Sequence, residues 1–292
     1  MTRLKILVGA TLLCVASIAS AQDAPDPAAP PPDGTTPPAA TTAAAAPGGE
    51  IISEPLTLGK SVLGITAGFE IARLTFTIPP IPPATTPMTS SATAEELLLG
   101  AGYGVNEKLE IGATYAIDVH DPSGTFPNSG KGPLAIYAGY SLMAGKLSIA
   151  AGADFTIDLG NTDAKAINAG LAVRYMVAPK IAIVTGNPVP PGPVGQHLSI
   201  SLASNGPITL AIPVGVELQA SPQAFLYLNT ELASFSISNS SNAFLFSDFI
   251  PIDVGLLYRA GPGLDVGAHF ADNLKSAGDF YVFGVMLRYM KG

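Results

Sequence analysis

Leu109-Glu110-Ile111-Gly112-Ala113-Thr114-Tyr115-Ala116-Ile117-Asp118 alternates without a break. In an extended chain successive side chains point to opposite faces, so Leu109, Ile111, Ala113, Tyr115 and Ile117 share one face and Glu110, Gly112, Thr114, Ala116 and Asp118 the other. One face is wholly apolar. A helix would bring apolar residues back every three to four positions, and a period of two excludes it here. The same pattern sets Leu63, Ile65, Ala67, Phe69 and Ile71 against Gly64, Thr66, Gly68 and Glu70. It also sets Leu147, Ile149, Ala151, Ala153, Phe155 and Ile157 against Ser148, Asp154, Thr156 and Asp158.

Working outward, alternation recurs over residues 97–105, 134–142, 167–175, 208–218, 226–232, 250–258, 264–270 and 281–289. Six of these eight segments have nine to eleven residues, the length at which a tilted strand crosses a bilayer, and 226–232 and 264–270 have seven. One further strand between Lys180 and Ala203 brings the predicted number to twelve, within a range of ten to fourteen. There, residues 181–184 and 198–202 both alternate, but Pro188, Pro190, Pro191 and Pro193 stand between them and cannot sit inside a continuous sheet. The expectation is that one piece is the seventh strand and the other belongs to a loop or extension. Short links (106–108, 143–146, 176–179, 220–223 and 260–262) alternate with longer ones (75–93, 120–132 and 233–248), although 160–165 is brief. Outer-membrane barrels pair short periplasmic turns with longer outward loops, which predicts that both chain ends face the periplasm.

The chain opens differently. A basic start at Arg3 and Lys5, an apolar run over residues 6–19 and the small-x-small Ala19-Ser20-Ala21 predict a signal peptide over residues 1–21. Residues 22–50 form a Pro/Ala/Thr-rich linker with no periodicity and too little apolar surface to fold. The barrel domain is expected over 51–292. The single cysteine, Cys14, lies in the predicted signal peptide, so neither a disulfide nor a cysteine metal site is expected in the mature chain. With 48% hydrophobic residues, only 12% charged ones and a net charge of −8, the composition excludes a nucleic-acid binder, which needs clustered bases.

A soluble β-sandwich also alternates. Here, however, the second face is too rich in Gly, Ala, Ser, Thr and charge to pack against another sheet, while the apolar face suits lipid. Tyr103, Tyr140, Tyr175, Tyr258 and Tyr289 all lie on the apolar face near strand ends leading to a short turn or the C-terminus. They are expected to form an aromatic girdle at one interface, ring in lipid and hydroxyl among headgroups. On these features, from Ile51 to Gly292, the chain resembles Gram-negative outer-membrane β-barrels of the porin-like kind. The resemblance implies an all-β, transmembrane, antiparallel up-and-down barrel in the outer-membrane lipid, inserted by the barrel assembly machinery. Such barrels usually end on an aromatic residue, whereas Tyr289 is followed here by Met290-Lys291-Gly292.

Function is expected on the inward face. By phase it carries Glu70, Glu110, Asp118, Asp154, Asp158, Arg174, Glu217, Glu231, Asp253, Arg259, Asp265, His269 and Arg288, in which acids outnumber the arginines by nine to three. An open lumen so lined would favour cations or small polar solutes. Arg174, Arg259 and Arg288, near the short-turn ends, are expected to pair with acids such as Asp265 or Glu110. Gly68, Gly112, Gly170, Gly215, Gly255, Gly267 and Gly284 on the same face are read as leaving room for a pore. Residues 75–93 and 186–195 are the candidate plugs. Two alternatives stand beside a narrow channel: a plugged structural or display barrel, and a lipid hydrolase in which His197 would activate Ser199 from the same strand face. No cofactor or metal site is indicated, and a monomer is expected.

Overall fold

The computed structural model describes residues 49–78, 88–120, 131–160, 162–186, 198–204, 208–236, 251–274 and 279–292. They form strands β1 (Leu63–Ile78), β2 (Met88–Gly104), β3 (Leu109–His120), β4 (Pro133–Met143), β5 (Leu147–Asp158), β6 (Lys165–Ala178), β7 (Ile181–Val184), β8 (Leu198–Ala203), β9 (Ile208–Gln219), β10 (Ala224–Ser236), β11 (Pro251–Gly261), β12 (Leu264–Asn273) and β13 (Phe280–Lys291). All pairings are antiparallel, and the sheet closes on itself through β1 and β13, from Leu63 opposite Lys291 to Leu74 opposite Phe280. Closure gives each described strand a hydrogen-bonded neighbour on both sides, the condition a sheet must meet in lipid.

The thirteen strands occupy twelve positions, because β7 and β8 are two pieces of one strand. β7 pairs with one end of β6 and β9, from Arg174 opposite Val184, while β8 pairs with the rest, from Leu171 opposite Leu198. The expectation that only one piece belongs to the wall is thus corrected. Both halves belong to the wall, each pairing with β6 and with β9. The ladder is patched at the break, where the Thr185 hydroxyl accepts from the Val173 amide (2.9 Å) and donates to the Leu171 carbonyl (3.2 Å). Pro213 of β9 falls in the same gap, between the residues paired to β8 and those paired to β7. A proline within a sheet removes a donor, and here it stands where the neighbouring strand is absent.

Outside, the wall is apolar. Ile65, Leu99, Ile111, Ile136, Phe155, Leu228, Val254, Phe270 and Val285 are among its exposed large side chains. Such an area of exposed hydrocarbon is unsuited to water and matches a bilayer core. No described helix is long and apolar enough to cross a membrane. The strands do so. Of the link over 75–93, Thr75–Ile78 and Met88–Thr93 prolong β1 and β2 as a paired ribbon, so these residues extend the sheet and do not plug it.

Inside, four of the seven glycines have a role other than the one expected. A Cβ on Gly112 would lie 2.4 Å from the Tyr137 ring, one on Gly255 2.1 Å from the Tyr227 ring, one on Gly215 1.9 Å from Asn229 Oδ1, and one on Gly284 2.0 Å from His269 Nε2. In all four cases the crowding residue is the glycine's direct cross-strand partner. These glycines therefore make space that a neighbour's side chain fills. They do not widen a pore.

Candidate functional site

The interior has two levels. At the end carrying the short turns, residues preceding β1 fold into the barrel. Ile51 and Ile52, in a single 3₁₀ turn, are 1% exposed and pack with Ala182, Val184, Phe225, Tyr227 and Leu257 of the wall. The Ile52 amide donates to Gln219 Oε1 (3.0 Å), and the Leu58 amide donates to Glu110 Oε2 (2.8 Å). The segment returns to the wall at Ser61, whose φ of 63° is the one left-handed non-glycine conformation among the described residues. It passes so close to β2 that a Cβ on Gly104 would lie 1.8 Å from the Gly59 carbonyl oxygen. Sequence reading assigned residue 50 and those before it to a linker and began the barrel at 51, and so it missed this inner segment.

Glu54 is its centre. Its carboxylate pairs with Arg259 (2.5 Å) and with Arg288 Nη2 (2.9 Å), and its carbonyl accepts from Arg174 Nη1 (2.6 Å). One residue thus meets all three inward arginines. Each arginine also has a wall carboxylate: Arg174 Nε donates to Glu217 Oε2 (2.8 Å), Arg259 Nε to Asp265 Oδ1 (2.7 Å) and Arg288 Nε to Asp265 Oδ2 (2.9 Å). The expected pairing with Asp265 is present. Glu110 is engaged otherwise, accepting from the Tyr137 hydroxyl (2.8 Å) and the Leu58 amide. Arg174, Arg259 and Arg288 thus meet Glu54, Glu217 and Asp265 in one buried ion-pair network. Arg288, Asp265, Glu217, Phe225 and Ala182 have no exposure at all. A side chain bordering an open aqueous path keeps some exposure, so the lumen is filled beside these residues.

Toward the long links the interior is acidic. Glu70, Glu96 and Asp118 are direct partners across β1, β2 and β3, forming a row of three carboxylates in consecutive strands. On the other side of Glu70, His269 spans the gap over Gly284, with Nε2 3.2 Å from Glu70 Oε1 and Nδ1 3.2 Å from Asp253 Oδ1. Asp154 is buried and accepts from Asn168 Nδ2 (2.6 Å) and Thr156 Oγ1 (3.1 Å). Asp158 is half-buried at the end of β5 and accepts from the Gly160 amide. The side chain of Glu231 lies outside the described residues. Glu96 was missed because the strand was started one residue later, at Leu97. Extending the alternation backward by one position would have found it.

The girdle tyrosines Tyr103, Tyr140, Tyr175, Tyr258 and Tyr289 are all exposed on the outer surface. Of the hydrolase pair, His197 lies outside the described residues and Ser199 is buried in β8 opposite Gly170 and Ala211. Of the second candidate plug, 187–195 lies outside the described residues too.

No protein-family model matches the chain, and no curated protein matches it in sequence. Among solved structures it is similar to an outer membrane channel from Pseudomonas putida F1, at 8% identity and a TM-score of 0.55, over 80% of this chain and 96% of that one. It is also similar to the NanC porin (6% identity, TM-score 0.47, 78% of this chain and 98% of that one) and to the KdgM porin in complex with disordered oligogalacturonate (9%, 0.46, 76% and 98%). At such identities the likeness is one of fold. The closed twelve-position wall and its apolar exterior define an outer-membrane β-barrel of porin-like architecture.

Proposed function

We propose that the protein is a narrow channel for cations or small polar solutes in the bacterial outer membrane, with its short turns toward the periplasm. The observation that carries this reading is the row Glu70, Glu96 and Asp118, three carboxylates abreast on the inner face, with Glu70 also meeting His269. Placed in a low-dielectric wall, such a row attracts cations and repels anions more strongly than it would in water. Twelve strands enclose a lumen between the eight-stranded case that side chains fill and the sixteen-stranded case that holds an aqueous channel.

The test is the reversal potential of the refolded chain from Gln22 to Gly292 in a planar bilayer under a salt gradient. It is measured on the unaltered chain and on Glu70→Gln/Glu96→Gln. Cation preference that falls in the double variant is expected. Equal or anion-favouring permeation would sink the acidic-lumen reading. A correctly folded barrel that never conducts, in the unaltered chain or with Glu54→Lys, would shift the assignment to a structural barrel, a reading favoured by the filled short-turn level.

A further inference from the structure

We infer that residues 49–62 are a plug that gates the barrel at its short-turn end, with Glu54 as the latch. The inference rests on the channel reading above. The segment belongs to no strand, yet its apolar pair Ile51 and Ile52 is buried as deeply as the wall residues that receive it. Its contacts are of two kinds. Ile51, Ile52, Thr57 and Leu58 fill space, whereas Glu54 answers charge: its carboxylate lies against two buried guanidinium groups, Arg259 and Arg288, and its carbonyl accepts from a third, Arg174. Withdrawing a carboxylate from beside buried cations is costly unless water follows.

The segment is also constructed to leave without dismantling the wall. Among the described residues its backbone-to-backbone bonds to the wall are at its base, where the Ser61 amide donates to the Gly104 carbonyl (2.7 Å) and the Gly104 amide to the Val62 carbonyl (2.9 Å), so residues 49–60 can swing out from there, and the arginines keep Glu217 and Asp265 as partners when Glu54 departs. Water entering the vacated space would solvate the remaining charge. Release therefore converts a packed level into an aqueous one, with Glu54 setting how often this occurs.

Two variants test this in opposite directions. Thr57→Cys/Gly139→Cys pins the plug: a Cβ at Gly139 would lie 3.5 Å from Thr57 Cγ2, and the mature chain has no other cysteine. Glu54→Lys releases it by placing a cation between Arg259 and Arg288. Folding is checked for both by heat-modifiable migration on a gel. The expected result is loss of bilayer conductance in the oxidised cysteine pair, recovery on reduction, and longer open times in Glu54→Lys than in the unaltered chain. Equal conductance before and after reduction of a fully oxidised pair overturns the plug and leaves the channel standing. Failure of the cysteines to join under oxidant overturns the seat itself. Silence in every folded variant, Glu54→Lys included, overturns channel and gate together.

Discussion

Arg288 and Asp265 stand directly opposite each other on β13 and β12, joined from Nε to Oδ2 at 2.9 Å, with neither side chain exposed. Removing Arg288 leaves Asp265 and Glu54, both buried, to share Arg259. Arg288→Met is therefore expected to lower stability by about 3–5 kcal/mol, read as a fall in the urea midpoint of the barrel folded in lipid vesicles. An unchanged midpoint would show that Arg259 alone suffices for Asp265.

Gly255 and Gly139 are both inward glycines with different surroundings. Gly255→Ala must displace the Tyr227 ring, whereas at Gly139 the nearest atom to an added Cβ is Thr57 Cγ2 at 3.5 Å, an ordinary contact. Gly255→Ala is expected to cost about 1–3 kcal/mol, the range for overpacking a filled interior, and Gly139→Ala to be near neutral. The same unfolding assay compares them, and equal effects would contradict the view that these glycines make room for rings.

Val285 lies on the outer face midway along β13, opposite Phe69 and Ala268. If that face meets hydrocarbon, Val285→Arg should destabilise by about 2–4 kcal/mol, the cost of arginine near the bilayer midplane. A substitution without effect in vesicles would show that this face does not meet lipid.

Tyr137→Phe removes one of the two hydrogen bonds that hold the Glu110 carboxylate, leaving the one from Leu58. A hydrogen bond to a charged group contributes about 1.5–3 kcal/mol, and a loss in that range is expected. Because Glu110 also holds the inner segment, Thr57 should become more accessible to a thiol reagent when tested as Thr57→Cys in the Tyr137→Phe background.

The wall was legible in the sequence because a membrane strand needs an unbroken apolar face, and segments such as 109–118 and 264–270 have one. What alternation does not encode is what fills the space between strands. Gly255 reads as an empty position until its partner across the ladder is known to be Tyr227, and register between distant strands is not written in either. The seventh strand was ambiguous because proline marks a break but does not say on which side the strand resumes. The inner segment was missed because it has no period. Its signals were chemical: Ile51-Ile52 and Glu54 following an almost uncharged tract, and three inward arginines gathered at one end of the strands.

The seat of Glu54 is assembled from parts of the chain far behind it. Arg174 is 120 residues downstream and Arg259 205, with Asp265 and Arg288 later still. Nothing can hold this carboxylate while the first strands form, since its arginines arrive on β6, β11 and β13. Full docking consequently requires β6 to have been brought into one wall with β11 and β13. A seated Glu54 thus reports that distant parts of the chain have met, which no single hairpin can do.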